Sequence, residues 1–362
     1  MIGGRSLLLR ACGRHLSKVL RGAVNTQVSE IQASECMQHL SATFTRNKST
    51  ETPSSVSTNL DCKIMSETKE FPTLNKLGLL DKKHIQILDP GHVDHLLSTI
   101  IAGGFNKMQV IADHDRTLSR AHYNNEKTET CHGIMDNSPL MPPYYREEAS
   151  KLLNKYYPIE VDPIMTEEEK TPHMVEWYGK IHTLLIKCGM SRTSIATMVK
   201  QSNVRLRDGT EDLFSKLKSK SVPVLVFSAG MGDILEEVLR HFNVYDDNVK
   251  VVSNFFEYDE QGNMIGFKGE IIHVFNKNEN AVHESDYFKK IGGRNNVILL
   301  GDSLGDIKMA HGVPQPNNVL KIGFLNDKIE ERMEMYKKNF DIVLVDDQTM
   351  EVCNRLIDLM MK

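Results

Sequence analysis

Two short apolar runs, each ending abruptly on carboxylates, constrain the fold of this chain more than any other feature. Met108-Gln109-Val110-Ile111-Ala112 runs into Asp113-His114-Asp115-Arg116-Thr117, and Val297-Ile298-Leu299-Leu300 into Gly301-Asp302-Ser303-Leu304-Gly305-Asp306. Runs this short, rich in leucine and β-branched residues, suit strands buried on both faces of a parallel sheet. Each delivers its acids to a strand's carboxyl end, where open α/β sheets bind ligands. Four carboxylates gathered there repel one another strongly. A site that tolerates this holds a cation, and oxygen-only ligands suit Mg2+.

The next buried run is Pro223-Val224-Leu225-Val226-Phe227, followed by Ser228-Ala229-Gly230-Met231-Gly232-Asp233 and a helix to about His241. Roughly 110 residues separate it from the first run. A parallel crossover needs far fewer, and structureless loops of that length are uncommon. A folded insert is therefore expected, and it reads as helical. Met141 to Tyr156 is one helix; Thr166-Glu167-Glu168-Glu169 is a capping box opening a second; Ser191 can cap a third. The predicted organisation is a basic N-terminal extension and linker over 1–65, an α/β core from 66–119 and 206–362, and a helical cap domain over 120–205.

Around these, Asp89 and Pro90 open a helix that glycines end at 103–104. Further strands are expected at 249–252, 320–324 and 341–345, with a hairpin around Gln261-Gly262-Asn263. Helices are expected near 283–291, 305–311, 327–337 and 349–361. This alternation implies an α/β fold with a doubly wound parallel sheet.

Composition narrows the class. Hydrophobic content of 40% and charged content of 25% suit a soluble globular protein. A net charge of −4 argues against nucleic acid as partner, and no run reaches the roughly 18 apolar residues that span a bilayer. The six cysteines are scattered without a C-x-x-C, which argues against a disulfide framework or zinc site and fits a reducing, cytoplasmic compartment. Cys131-His132 reads as local packing. Residues 1–29 hold Arg5, Arg10, Arg14, Lys18 and Arg21 and no acid. Basic, amphipathic and acid-poor describes a mitochondrial transit peptide, with a disordered basic tail as the alternative. Residues 41–57 are rich in Ser and Thr and read as linker.

Taken singly, Asp113 and Asp302 would be surface loop aspartates. Together they suggest chemistry. An aspartate at a strand end can attack phosphorus and form an aspartyl-phosphate, which fits Asp113. Asp115, two residues on, shares its face if extended geometry continues, and can protonate the leaving oxygen and then activate water. Asp302 is a natural Mg2+ ligand, with Asp306 supporting it.

D-x-D-x-T followed by G-D-S-x-x-D in this order resembles the haloacid dehalogenase superfamily of phosphohydrolases. By that resemblance Ser228 binds phosphate and Lys277 neutralises nucleophile and phosphate. The chain is more closely similar to the cytosolic 5′-nucleotidase III, or pyrimidine 5′-nucleotidase, family over about residues 70–362. The segments that carry this are 113–120 (DHDRTLSR), 156–163 (YYPIEVDP), 174–178 (MVEWY), 226–233 (VFSAGMGD), 266–277 (GFKGEIIHVFNK) and 298–306 (ILLGDSLGD). The resemblance implies Asp113 as nucleophile and Asp115 as proton donor. It implies Mg2+ on Asp113, the Asp115 carbonyl and Asp302, Glu160 against the nucleobase, and Ser228, Ala229 and Lys277 around phosphate.

Trp177 and Tyr178 read either as core of the cap or as a stacking surface for the base. Two departures stand out. Relatives carry an aromatic and an apolar residue where this chain has His114 and Arg116, and a small residue where it has Ile181. Neither removes a catalytic group, so hydrolysis is expected to survive, with CMP and UMP as expected substrates and 7-methylguanosine monophosphate accepted. The partner is then a small molecule, and the expected state is a monomer. Two other readings compete: a phosphatase of the same superfamily with another substrate, such as phosphoserine, and a non-enzymatic phosphoacceptor domain. Glu160 beside a large aromatic cap speaks against the first, and the long insert and intact Asp115 against the second.

Overall fold

The computed structural model describes residues 71–362 except 163, 278–286, 288–290 and 314–315. The basic extension over 1–65 lies outside the described residues, as does most of the helix expected at 283–291.

The described residues start with helix α1 (Pro72–Leu77), strand β1 (Ile85–Gln86), helix α2 (Pro90–Gly103) and strand β2 (Met108–Ala112). A small pair, β3 (His122–Tyr123) and β4 (Glu126–Lys127), leads into α3 (Cys131–Asp136), α4 (Pro143–Glu160), α5 (Glu167–Cys188), α6 (Arg192–Gln201) and α7 (Thr210–Ser219). Then come β5 (Val224–Met231), α8 (Gly232–His241), β6 (Val249–Asn254) and the hairpin β7 (Phe256–Tyr258) and β8 (Met264–Phe267). The last part holds β9 (Asn296–Gly301), a 3-10 segment (Leu304–Gly312), β10 (Asn318–Leu325), α9 (Ile329–Asn339), β11 (Ile342–Val345) and α10 (Glu351–Met361).

Seven strands form one sheet in the order β1-β11-β10-β9-β2-β5-β6, parallel throughout except for β1. Every residue of β2, β5 and β9 is buried, as expected of strands covered on both faces. From central β2 the chain builds outward through β5 and β6, then returns to β9 and builds the other way. The crevice beside β2 is thus a topological switch point. Register fixes what meets there: Ala112 pairs with Leu300 on one side and Val226 on the other. The segments after β2, β9 and β5 therefore leave the sheet side by side.

The expected helix caps form as the sequence dictates. Asp89 accepts a hydrogen bond from the His92 amide at 3.0 Å. The Thr166 hydroxyl accepts from the Glu169 amide, whose carboxylate accepts from the Thr166 amide at 2.8 Å. Elsewhere the boundaries differ. Helix α4 spans 143–160 rather than 141–156, because Pro142 and Pro143 delay its start and Pro158, lacking an amide hydrogen, falls in its last turn. The segment after β9 is a 3-10 rather than an α-helix. Helix α7 and the antiparallel edge strand β1 went unread. The first follows Gly209 at φ 83°, and the second is two residues long, too short to show a period.

Helices α4 and α5 pack on each other, and α6 packs on α8. The β7–β8 hairpin joins this group from later in the chain. Its Met264 amide donates to the Met190 carbonyl at 2.8 Å, and the Arg192 amide donates to Gly262 at 2.9 Å. Among the described residues, no helix is long and apolar enough to cross a membrane.

Candidate active site

The β2 ladder carries one residue further, since the Asp113 amide donates to the Leu300 carbonyl at 3.0 Å. Asp113 is extended (φ −70°, ψ 164°) and Asp115 also takes extended angles (φ −69°, ψ 119°), but the segment His114–Leu118 is no longer strand and turns at Arg116, left-handed at φ 63°, ψ 7°. Asp115 and Asp113 line the same cleft. Buried Arg207 holds the turn. Its guanidinium donates to the Thr117 carbonyl at 2.6 Å, to the Arg116 carbonyl at 2.5 Å and to the Asp347 carbonyl, and lies 4.1 Å from the Phe324 ring centroid. A lone arginine in an otherwise unremarkable stretch carries no sequence signal for this role.

Lys277 is buried between two carboxylates. Its ammonium lies 2.5 Å from Asp113 Oδ1 and 2.7 Å from Asp306 Oδ1. The other Asp306 oxygen accepts from the Ser303 hydroxyl at 2.8 Å and the Ser303 amide at 2.9 Å. Asp306 packs so close to β9 that a Cβ on Gly301 would sit 2.5 Å from its own Cβ, so the glycine is required there. Burial, helped by Asp306 and Asp115, pushes the Asp113 carboxyl up to about 6 against the pull of Lys277. Burial raises Asp302 well above the usual carboxylate range, reinforced by Asp113 and Asp306.

Carboxylate oxygens of Asp113, Asp302 and Asp306 lie within 4.8 Å of one another. Among the described residues no donor bonds the Asp302 carboxylate. One lysine does not balance these acids, and an all-oxygen donor set of this kind fits a hard divalent cation.

Ser228 and Ala229 occupy an irregular stretch of β5, where the register to β6 shifts between Phe227 and Met231. Buried Asn254 secures it: its amide group donates to the Ala229 carbonyl at 2.9 Å and the Ile272 carbonyl at 2.8 Å. The Ser228 hydroxyl accepts from the Gly230 amide at 3.0 Å. Asp115 accepts from the Cys131 amide at 2.9 Å, and fully buried His114 places Nδ1 3.1 Å from the same oxygen. Burial raises the Asp115 carboxyl, but His114 and the Cys131 amide outweigh it and hold the group below its ordinary value. The Cys131 side chain is buried in the core, while its amide, at the start of α3, holds a catalytic candidate.

Opposite these groups, Glu160 ends α4, and Trp177, Tyr178 and Ile181 line the same cleft of about 260 Å³ from α5. Burial pushes the Glu160 carboxyl up to about 7, against the pull of Arg116 and Lys170. The Lys170 ammonium ties the end of α4 to α5 by donating to the Glu160 carbonyl at 3.0 Å. Tyr178 is only 9% exposed, edge-on to the rings of His132, Trp177, His182 and His273. Trp177 stacks on Tyr156 at 5.9 Å. Tyr157, His132 and Asp136 also line the cleft and were not singled out by sequence.

Strand-end carboxylates at a switch point, a buried lysine between them and a helical wall above frame a single cleft suited to hydrolytic chemistry. The family described as pyrimidine 5′-nucleotidase (UMPH-1) matches residues 116–361. The human 7-methylguanosine phosphate-specific 5′-nucleotidase is 45% identical over 282 residues, covering 78% of this chain and 94% of that protein. Its Drosophila melanogaster counterpart is 38% identical over 308 residues, covering 82% and 95%. The crystal structure of cytosolic 5′-nucleotidase IIIB bound to cytidine superposes with a TM-score of 0.75 at 37% identity, covering 80% of this chain and 97% of that one. The chain belongs to the pyrimidine 5′-nucleotidase family; it is a hydrolase, a 5′-nucleotidase acting on nucleoside monophosphates.

Proposed function

We propose that this enzyme hydrolyses CMP and UMP, and accepts 7-methylguanosine monophosphate, through an aspartyl-phosphate on Asp113. The observation that carries the reading is the short contact of buried Lys277 with both Asp113 and Asp306, beside Asp302 and Asp115 in one cleft. Asp113, the Asp115 carbonyl and Asp302 would hold Mg2+, which would screen carboxylate from phosphate and offset transition-state charge.

Asp113 attacks phosphorus as the bond to the 5′ oxygen breaks, and Asp115 protonates that oxygen as the nucleoside leaves. Asp115, now a carboxylate, takes a proton from water, whose oxygen attacks phosphorus and breaks the bond to Asp113. Free phosphate departs. Lys277 keeps Asp113 ionised and oriented, while Ser228 and the backbone at Ala229 face the phosphoryl oxygens. The Asp115 carboxyl is biased toward its ionised form, which suits the second step; the negative charge of bound phosphate raises it for the first.

Glu160 supports the pyrimidine reading. Its carboxylate can accept from the exocyclic amino group that cytosine presents. Relatives named as 7-methylguanosine phosphate-specific favour the methylated purine, and the cytidine bound to the structural relative favours the pyrimidine. Phosphate release from a panel of nucleoside monophosphates tests this. CMP is expected to exceed UMP, and both to exceed AMP and GMP; equal efficiency on AMP and CMP overturns it. Residues 1–29 would direct a mitochondrial form alongside a cytoplasmic one, and imaging the chain with and without them checks this.

A further inference from the structure

Arg116 is a cleft-lining residue of the catalytic turn that the mechanism does not use. It takes a left-handed conformation that costs a non-glycine residue of order 1 kcal/mol or more. The surroundings enforce it. Its carbonyl accepts from Arg207 at 2.5 Å and from Asn326 at 3.0 Å, and its amide donates to the Ser119 hydroxyl at 2.9 Å. With the backbone pinned on three sides, the side chain is aimed into the cleft. There it shares the cleft with Asp302, Asp115 and Glu160, whose charges act on its guanidinium, with the Tyr157 hydroxyl within hydrogen-bonding reach. Among the described residues no carboxylate forms an ion pair with it, so most of its five donors stay available.

Charge decides what those donors are for. Six carboxylates line the cleft against two fixed cations, Lys277 and Arg116. Lys277 is already committed to Asp113 and Asp306. A phosphate monoester dianion entering among these acids needs a further cation. A planar guanidinium matches two phosphoryl oxygens at once, as an ammonium does not. Arg116 lies three residues after Asp113 in the same turn and lines the same cleft as Asp113 and Glu160, so a phosphate on Asp113 would lie in the cleft that it lines.

We propose that Arg116 is a phosphate-binding residue of this enzyme, gripping the phosphoryl oxygens turned away from Lys277. The proposal rests on the reading of Asp113 as the attacking group, which places the phosphate. The test is calorimetric titration of inorganic phosphate into the Mg2+-loaded enzyme, wild type against Arg116→Met and Arg116→Lys, with cytidine titrated in parallel. Arg116→Met is expected to weaken phosphate binding by about tenfold or more, and Arg116→Lys by less, since the charge survives but the fork is lost. Cytidine affinity should stay within about twofold. Unchanged phosphate affinity overturns the proposal. So does an equal fall for phosphate and cytidine, which would make Arg116 a support for the cleft wall through Tyr157. If the methionine variant does not fold, Arg116→Gln of similar length takes its place. Because phosphate itself is the probe, the result is independent of base preference, and an active Asp113→Asn enzyme would refute the covalent route without touching the titration.

Discussion

The two ends of the cleft are built by different means. At the phosphate end, groups are fixed against the sheet's backbone: Asp113 by the ladder to β9, Asp306 by its fit against Gly301, Ser228 by the irregular stretch of β5. At the base end, Glu160, Tyr178 and Ile181 depend on which faces of α4 and α5 meet, and Glu160 has only the reach of Arg116 and Lys170 to oppose its burial. Chemistry is thus written into strand register, while specificity is written into helix packing. A helix face can change without disturbing the sheet; the register of β2 against β5 and β9 cannot move without losing the nucleophile.

Substitutions should separate the two ends by size of effect. Asp113→Asn removes the attacking oxygen, and steady-state assays should show turnover lower by at least roughly 10³-fold, with structure retained. Full activity, with reversion by deamidation excluded, would break the comparison at its root. Chelation should likewise abolish phosphate release, and added Mg2+ should restore it. Undiminished release after exhaustive chelation would remove the cation from the phosphate end. Next in size is Arg207→Met, which tests whether the catalytic turn is rigid by design. It leaves the Thr117 and Asp347 carbonyls without their buried donor, at about 1–3 kcal/mol for each unsatisfied group. Denaturant unfolding should register that loss, and kcat should fall even where the variant is fully folded. A stability loss with kcat intact would show that the turn holds its shape without the clamp.

The same contrast explains what was legible in the sequence. β2, β5 and β9 are short apolar runs that stop on carboxylates or serine, so strand identity and site position could be read together. The capping box at Thr166 and the cap at Asp89 were local signals of the same quality. Arg207 and Asn254 were not legible, because each acts across distant segments: Arg207 bonds residues 116, 117 and 347, and Asn254 bonds 229 and 272. Nothing within a few residues of either announces such a role. The turn after Asp113 was not legible for a related reason. Its left-handed residue is an arginine rather than a glycine, held by contacts from elsewhere instead of by its own preference.

The smallest expected effect bears on the base end alone. Burial pushes the Glu160 carboxyl up to about 7, well above its ordinary value near 4.5. Above that pH the group is an acceptor and suits the amino group of cytosine; below it the group carries a proton and suits the carbonyl that uracil presents at the same position. The ratio of kcat/KM for CMP to that for UMP should therefore rise as pH climbs from about 6 to 8.5, by up to about tenfold, the value of one hydrogen bond to a charged group. Taking the ratio cancels the ionisation of the phosphate, common to both substrates, and any titration of Asp113 or Asp115. In Glu160→Gln the ratio should be flat, because glutamine offers donor and acceptor alike at every pH. A flat ratio in the wild type would detach Glu160 from base recognition; a pH-dependent ratio in Glu160→Gln would assign the titration to another group.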